Sequence, residues 1–548
     1  MGDVKHNLMR RICVGDILKR TARRFPKKEA MAYSYKRNIV ARFTFEDVDR
    51  KANRLANALI KLGIRKGDRV AIMSNNCPQY VFYFMALSRM GAWATPVNFN
   101  NRGREISQLI NHSESIMFIV EDELVDRVKE VQQDMPSVKQ YVMININKEK
   151  SLPQGWLDFD ELCSEKYPDT EPYVEIKGDD VFTLLYTSGT EAMPKGCMNA
   201  HLNGFSMLEG QAIDSGWFPA VPEDCELIIV PLYHAGGICR LFTAIMKSEK
   251  IVLPYGTDPM EILQLLQGEK VTESFCPATL YTKLLKAPVP NVEEFLKKVF
   301  SSGRTFIISA APITHADMRR LLEVLPDIHW VVLYGQTEST GSYLGSPDLP
   351  RKFKEAEERF GGAEPIGLPS ANNEIKIVDE NDNEVPRGTI GEMVVRSPSV
   401  MLGYYKEEEL TKEVFRGGWL HTGDLALMDE ENYLYFVDRK KDIVITGGEN
   451  VSSLQVENEI CEHPKVAEVA IVALPHPKWV EAVTAFVVPK PNESVTEEEV
   501  IRFCKERIAG YKVPKKVVVL DKIPRNPTGK ALKKDIRKQF QDLYQSEK

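Results

Sequence analysis

The sequence predicts an α/β protein. It should comprise a large N-terminal domain of layered α/β subdomains with a small β-rich subdomain, followed by a small, mobile α+β C-terminal domain. Three observations predict this. At 548 residues the chain is too long for one ordinary core. As far as Gly361, short apolar runs alternate with segments of helical spacing, the pattern of helices laid over largely parallel sheets. Beyond that point short strands separated by turn clusters take over, and after the charged run 438–442 a compact mixed unit closes the chain.

The elements follow in order. Residues 45–62 carry Val48, Ala52, Leu55, Ala56 and Leu59 at helical spacing, and residues 69–73 are a short apolar strand. Residues 80–90 read as a helix and 92–96 as extended chain. Strand-like runs recur at 116–120, 181–185, 227–230, 250–253 and 330–333, with helices at 259–267 and 315–325 between them. Residues 374–378, 391–395 and 433–437 are the short strands of the β-rich part, joined by turn clusters such as Glu380-Asn381-Asp382-Asn383. The last unit reads as helix 454–463, strands 466–473 and 482–489, helix 496–507, strand 515–520 and helix 531–540. These patterns divide the chain into a large domain over 1–437, a hinge at 438–442 and a small domain over 443–548.

Composition narrows the function. Lys and Arg number 71 against 78 Asp and Glu, so the net charge of −7 disfavours nucleic acid as a partner. The end is nonetheless basic, with thirteen Lys and Arg against five Asp and Glu over 505–548. That is a solvated helical face or a surface for an anionic ligand. Nine scattered cysteines without a CxxC pair fit free thiols in a reducing compartment, and Cys197 next to the loop described below reads as an inert buried thiol. The N-terminus has no apolar signal core, and the apolar stretch 80–87 ends at Arg89, far short of a bilayer span. The expected location is the cytoplasm, and the size of the sheets leaves a homodimer open.

Chemistry first shows in residues 186–196, YTSGTEAMPKG, directly after the 181–185 strand. Small residues let backbone N–H groups approach phosphate oxygens, and Lys195 supplies a fixed cation. It is not a Walker A loop. That pattern needs glycine before the lysine and Ser or Thr after it, whereas Pro194 and Gly196 stand there. Alone, the segment reads equally well as a surface turn. Five further segments break the tie: PLYHAGG at 231–237, YGQTE at 334–338, GWLHTGDLA at 418–426, DRKKDIVITGGEN at 438–450 and PRNPTGK at 524–530.

With these segments in this order the whole chain resembles the adenylate-forming superfamily, which includes acyl- and aryl-CoA synthetases, carrier-protein adenylation domains and firefly-type luciferases. The resemblance implies an ATP-dependent, AMP-forming ligase that activates a fatty or aromatic carboxylic acid as acyl-AMP and transfers it to coenzyme A. It implies that Thr187, Ser188, Gly189, Thr190 and Lys195 wrap the β- and γ-phosphates, that Thr337 bonds the α-phosphate, and that Glu338 ligates Mg²⁺. Tyr334, next to Gly335, would stack on adenine opposite a wall of Ala310, Ala311 and Pro312, while Asp424 and Arg439 would hold the ribose. Lys530 would bridge the attacking carboxylate and the nucleotide. Lys441 would be the hinge about which the small domain turns, exchanging Lys530 for Gly447, Gly448 and Glu449 along the pantetheine channel. His234, Gly236 and Gly237 would border the acyl pocket, with the glycines leaving room for substrate.

The phosphate loop departs from the family's usual TSGTTG at Glu191 and Ala192, and Glu191 puts a negative charge where phosphates should lie. The segment 451–454 lacks the usual Tyr-Pro, which keeps a separate acyl or peptidyl carrier protein in view as the alternative thiol. A luciferase-type oxygenase shares every motif, and a catalytically silent binding protein would have lost Lys530 or Glu338, both of which are present.

Overall fold

Two mostly parallel sheets share one core, and a computed structural model places it. The structure describes residues 11–148, 150–187, 194–214, 223–285, 289–309, 312–339, 344–345, 348–526 and 529–545. Among the described residues one sheet runs, in spatial order, His329–Val332, Thr305–Ser309, Glu273–Pro277, Cys225–Ile228, Lys250–Pro254, Glu29–Tyr35 and Asn38–Thr44. Only the last strand is antiparallel to its neighbour. The other sheet centres on Trp93–Val97, Arg69–Met73, Met117–Glu121 and Gln140–Ile144, all parallel.

Helices Phe45–Lys61, Pro78–Met90 and Ala235–Lys247 fill the space between these sheets and contribute to a single apolar cluster with strands of both. Pro78–Met90 is apolar on every side because it is buried on every side, from Tyr80 to Met90. The longest apolar run of the sequence is therefore a core helix. Arg89 is tolerated inside it because Asp49 Oδ1 and Asn53 Oδ1, both at 2.6 Å, pair its guanidinium.

The β-rich part is an antiparallel sheet running from Glu364–Pro369 through Leu434–Arg439, Leu420–Met428 and Gly391–Arg396 to Glu374–Val378. The chain leaves this sheet at Arg439, makes one short turn at Lys440–Asp442, and enters the C-terminal sheet at Val444. There Val466–His476 and Val480–Pro489 form a long antiparallel pair, and Lys516–Val519 joins in parallel. Helices Ser453–Cys461, Glu497–Lys505 and Lys533–Phe540 complete this unit.

Asp438 looks in sequence like the start of a solvated linker, yet it is only 4 % exposed. Its Oδ2 accepts the N–H of Ser453 at 2.6 Å, the Ser453 hydroxyl at 2.8 Å and the N–H of Leu454 at 3.4 Å. It thereby satisfies donors that the first turn of Ser453–Cys461 cannot pair internally. The last strand of the large domain thus caps the first helix of the small one. Arg319 and Glu462, 2.6 Å apart, add a second contact across the same boundary. Asp438→Ala should cost about 1–2 kcal/mol, seen as a lower thermal midpoint and faster tryptic cutting at Lys440-Lys441. An unchanged midpoint and digestion rate would refute this role for the carboxylate.

Candidate active site

A cleft of about 620 Å³ opens at the carboxyl ends of Cys225–Ile228, Glu273–Pro277, Thr305–Ser309 and His329–Val332, where open α/β sheets bind ligands. Thr187 and Lys195 line it from the neighbouring sheet. They flank residues 188–193, between the paired antiparallel strands Val181–Tyr186 and Gly196–Ala200. Thr187 N–H donates to the Lys195 carbonyl at 2.9 Å, and Lys195 N–H to the Thr187 hydroxyl at 3.3 Å, closing the loop at its base. Ser188, Gly189, Thr190, Glu191 and Ala192 lie outside the described residues, as do Ala310 and Ala311.

The YGQTE segment leaves the edge strand His329–Val332 and places Gly335, Thr337 and Glu338 on the cleft wall. Glu338 Oε1 accepts the Tyr404 hydroxyl at 2.8 Å, and Lys195 Nζ stands 5.5 Å from the centroid of the same ring. The tyrosine therefore fixes an acid and a cation side by side. Cys197, behind them, is fully buried, and burial raises its thiol pKa well above the ordinary value, which fits an inert thiol.

Asp424 stands opposite Arg439 on paired strands, with Arg439 Nε 3.9 Å from Oδ1. Its other oxygen, Oδ2, accepts the Tyr334 hydroxyl and, at 2.9 Å, the Gln336 side-chain amide. Gln336 also donates to the Thr422 carbonyl at 2.9 Å. Tyr334 is thus tethered by its hydroxyl, with its ring near Phe436, and Gln336 orients the carboxylate. Pro312 lies in the adjoining cleft of about 450 Å³ that Lys530 also borders.

Lys530 comes from the other domain. Residues 524–526 and 529–532 face each other, with Arg525 and Ala531 bridged, Lys530 N–H on Asn526 Oδ1 at 2.9 Å, and Arg525 Nη1 on the Gly529 carbonyl at 2.7 Å. Gly529 has φ +85, and a Cβ there would stand 2.5 Å from Thr279 Oγ1 of the large domain. Only glycine lets the turn dock so closely. Docking carries Lys530 into a cleft that also holds Lys195, Arg439, Lys440 and Lys441 against the carboxylates Glu338 and Asp424. Burial, reinforced by the positive charges of Arg439 and Lys441, lowers the Lys530 amine to about 7 in spite of Asp424 and Asp442.

On the apolar side, His234 precedes helix Ala235–Lys247, and burial pushes its pKa down to about 4, so its ring is neutral at pH 7. Its Nε2 is buried without a protein partner and lines the cleft. Gly236 lines it too, beneath the Phe275 ring. Gly237 corrects the sequence expectation. A Cβ there would meet the Pro231 carbonyl at 2.5 Å, so its missing side chain makes room for backbone, not substrate.

Gly447, Gly448 and Glu449 are not brought into the cleft. They form the exposed tip of a hairpin between Val444–Thr446 and Glu449–Val451. Gly447 and Gly448 have φ of +61 and +89, as the tight turn demands. Gly447 N–H donates to the Trp479 carbonyl at 2.9 Å, and the indole packs on Gly447. Lys478 and Lys515 stand over that ring at 4.6 and 5.4 Å. Val480 follows with φ +69, costly for a β-branched residue, and is held there by a bridge to Thr446. Trp479, Tyr404, Gln336 and Asn526 escaped the sequence reading. Gln336 and Asn526, each inside a recognised motif, carried a signal.

A large α/β body whose cationic cleft is completed by a lysine from a small second domain defines an adenylate-forming enzyme. The family model described as AMP-binding enzyme matches residues 18–405, and that of the AMP-binding enzyme C-terminal domain matches 455–530. The chain belongs to this family. It is 31 % identical over 500 residues to a feruloyl-CoA synthase of Amycolatopsis, spanning 91 % of this chain and 94 % of the relative. It is 32 % identical over 523 residues to a long-chain-fatty-acid–CoA ligase of Escherichia coli, spanning 90 % and 89 %. ATP-bound MatB from Rhodopseudomonas palustris, 26 % identical, superposes with a TM-score of 0.84 over 97 % of this chain and 99 % of that one. The apo form of the same protein reaches 0.72. The whole chain therefore superposes better on the ATP-bound form than on the apo form.

The charge on Lys530 should govern nucleotide capture. The ammonium prevails below about 7 and the neutral amine above it. ATP affinity, measured by equilibrium binding, should therefore fall as the pH rises through about 7, by up to about tenfold per unit. Lys530→Met should remove that dependence. A wild-type affinity that stays constant across this range would refute it.

Proposed function

We propose that the cleft carries out adenylation in the arrangement seen here, and that rotation of the small domain then prepares it for the thiol. The chain is an AMP-forming acid–CoA ligase that uses ATP, Mg²⁺ and coenzyme A. The observation that carries the residue assignment is Lys530, a cation of the small domain, seated beside Asp424 and Arg439 of the large one.

In the first half-reaction a carboxylate oxygen attacks the α-phosphorus of ATP, the bond to the bridging oxygen breaks, and pyrophosphate leaves. Two anions must meet, so fixed positive charge is the main requirement. Lys530 spans the carboxylate and the nucleotide, its compact ammonium on a long stem suiting a group delivered from another domain. Lys195 and Thr187, at the base of the loop with Ser188, Gly189 and Thr190, hold the outer phosphates. Thr337 bonds the α-phosphate. Glu338 suits Mg²⁺, which binds through one or two carboxylates plus phosphates and waters. When bound, the ion neutralises the developing phosphate charge. Asp424 and Arg439 hold the ribose, with Gln336 fixing the carboxylate, and Tyr334, Gly335, Ala310, Ala311 and Pro312 enclose the base. His234 is neutral, so it positions the acid and does not remove a proton, which a carboxylate lacks at pH 7 anyway.

In the second half-reaction the thiol sulfur attacks the acyl carbon, AMP leaves and the thiol proton is released. Rotation about Lys441, within the domain boundary at 438–442, withdraws Lys530 and brings in Gly447, Gly448 and Glu449. Trp479 travels with this hairpin, and its two lysines give an aromatic, cationic surface for the nucleotide end of coenzyme A. A carrier protein as acceptor is not favoured, because the curated relatives are named for CoA. Nine free cysteines, eight of them buried, support a cytoplasmic setting. No helix among the described residues is long and apolar enough to cross a membrane.

Incubating the protein with ATP, CoA and a panel of acids and following AMP release and thioester tests the activity. The half-reactions test the assignments. Lys530→Ala should lower acyl-AMP formation by about 100-fold or more, yet leave thioester formation from supplied acyl-AMP within a few-fold. Equal loss in both steps would contradict the exchange. Gly448→Leu adds a side chain where nothing stands within 4 Å here, so adenylation should persist while CoA use fails. A normal overall rate would remove the hairpin from the channel.

A further inference from the structure

Behind the cleft, helix His201–Asp214 packs along helix Ala235–Lys247, and the contact is polar at one place only among the described residues. Gln211 donates through Nε2 to Cys239 Sγ at 2.8 Å and accepts the Thr243 hydroxyl on Oε1 at 2.7 Å. Cys239 and Thr243 are one turn apart on the same face. One turn before Gln211, Met207 touches Cys239 sulfur to sulfur at 3.4 Å. Cys239 and Thr243 are 1 % and 2 % exposed and Met207 is 4 % exposed, while Gln211 between them is half-buried.

Cys239 is also part of the cleft wall, together with Val230, Ala235 and Phe275. It lies five residues along the helix from His234, at the other end of that wall. At 1.5 Å per residue that is about 7.5 Å along the helix, which is the length of wall offered to an acyl group lying along it before the seam. That length suits one aromatic ring with a short linker, or a short alkyl chain. A longer chain would have to pass between the two helices, through the place where Gln211 joins them.

We propose that Gln211, bonded to Cys239 and Thr243, closes the far end of the acyl pocket and confines the enzyme to single-ring aromatic or short-chain acids, excluding long-chain fatty acids. This rests on the acid–CoA ligase reading of the same cleft. A hydrogen-bonded bridge is a better stop than an apolar contact. A chain end pushed between the helices would leave a half-buried amide and a buried hydroxyl unpaired, whereas an apolar seam could simply repack.

The test compares cinnamate, hexanoate and palmitate as substrates for wild type, Gln211→Ala and Thr243→Val, with kcat/KM for each acid and KM for ATP. Wild type should favour cinnamate or hexanoate over palmitate by at least about 100-fold. Gln211→Ala should raise palmitate kcat/KM by about tenfold or more, with KM for ATP unchanged, and Thr243→Val should move in the same direction by less. A wild type that prefers palmitate overturns the proposal. So does an unchanged acid profile in Gln211→Ala that melts as wild type does. If Gln211→Ala does not fold, Thr243→Val, nearly equal in volume, decides by the same criterion. If no acid gives AMP at all, the ligase reading falls and takes this one with it, an outcome distinct from an active enzyme with an unaltered profile.

Discussion

The structure depends on one electrostatic constraint. A cleft that must bring a carboxylate to a triphosphate has to gather positive charge beforehand, and gathered positive charge repels itself. Five basic side chains line this cleft against two carboxylates, and burial, reinforced by the charges of Arg439 and Lys441, lowers the amine of Lys530 to about 7. Like charges a few ångströms apart at a protein surface cost on the order of a few kcal/mol. Four of the five belong to the large domain or the short turn that ends it, while the fifth arrives on a separate unit. Docking the small domain is therefore opposed by its own most important residue, and other contacts must hold it in place.

Those contacts can be named. Asp438 caps Ser453–Cys461, Arg319 pairs Glu462, and Gly529 lets the lysine turn press onto Thr279. Each is polar or small, and each can break without exposing a large apolar surface. The five-stranded C-terminal sheet keeps its own apolar clusters, separate from those of the large domain. A domain with its own core and a polar interface is one that can move as a body. The turn at Lys440–Asp442 concentrates that freedom in three residues.

Much of this was legible in the sequence, for a physical reason in each case. Alternating short apolar runs and helical spacing gave the layered sheets, and Arg69–Met73 and Glu374–Val378 fall where the pattern puts them. The motif residues converge because they sit at strand ends or tight turns, where spacing along the chain translates directly into position. What could not be read depends on contacts across the fold. The strands Glu29–Tyr35 and Asn38–Thr44 were missed because the outer one is largely exposed and carries Asn38 and Arg42 among its apolar residues. Gly237 reads as space for a ligand, yet the space is taken by the Pro231 carbonyl, which no local pattern announces. Asp438 reads as linker charge, but its partners lie fifteen residues on. Tyr404 reaches Glu338 across 66 positions and Trp479 supports Gly447 across 32, so neither carries a periodic signal.

The same charge balance couples chemistry to movement. With ATP and a carboxylate bound, the negative charge of the phosphates offsets much of that of the basic residues, which would stabilise the docked lysine. Adenylation releases pyrophosphate and consumes the free carboxylate charge, leaving a mixed acyl–phosphate anhydride with a single negative charge. The cleft then returns to an excess of positive charge in a partly buried site, where it is weakly screened. The residue with least to hold it is the one carried by the other domain, on a turn anchored by Asn526 and Arg525 and joined to the body by polar contacts. In the rotation proposed above, its departure would relieve the repulsion and vacate the position for the Gly447-Gly448 hairpin. Because that hairpin is already folded and exposed, with Trp479 against it, the second face requires no refolding, only delivery. An enzyme built this way needs no separate signal to change state, because the leaving pyrophosphate takes with it the charge that kept the first state closed.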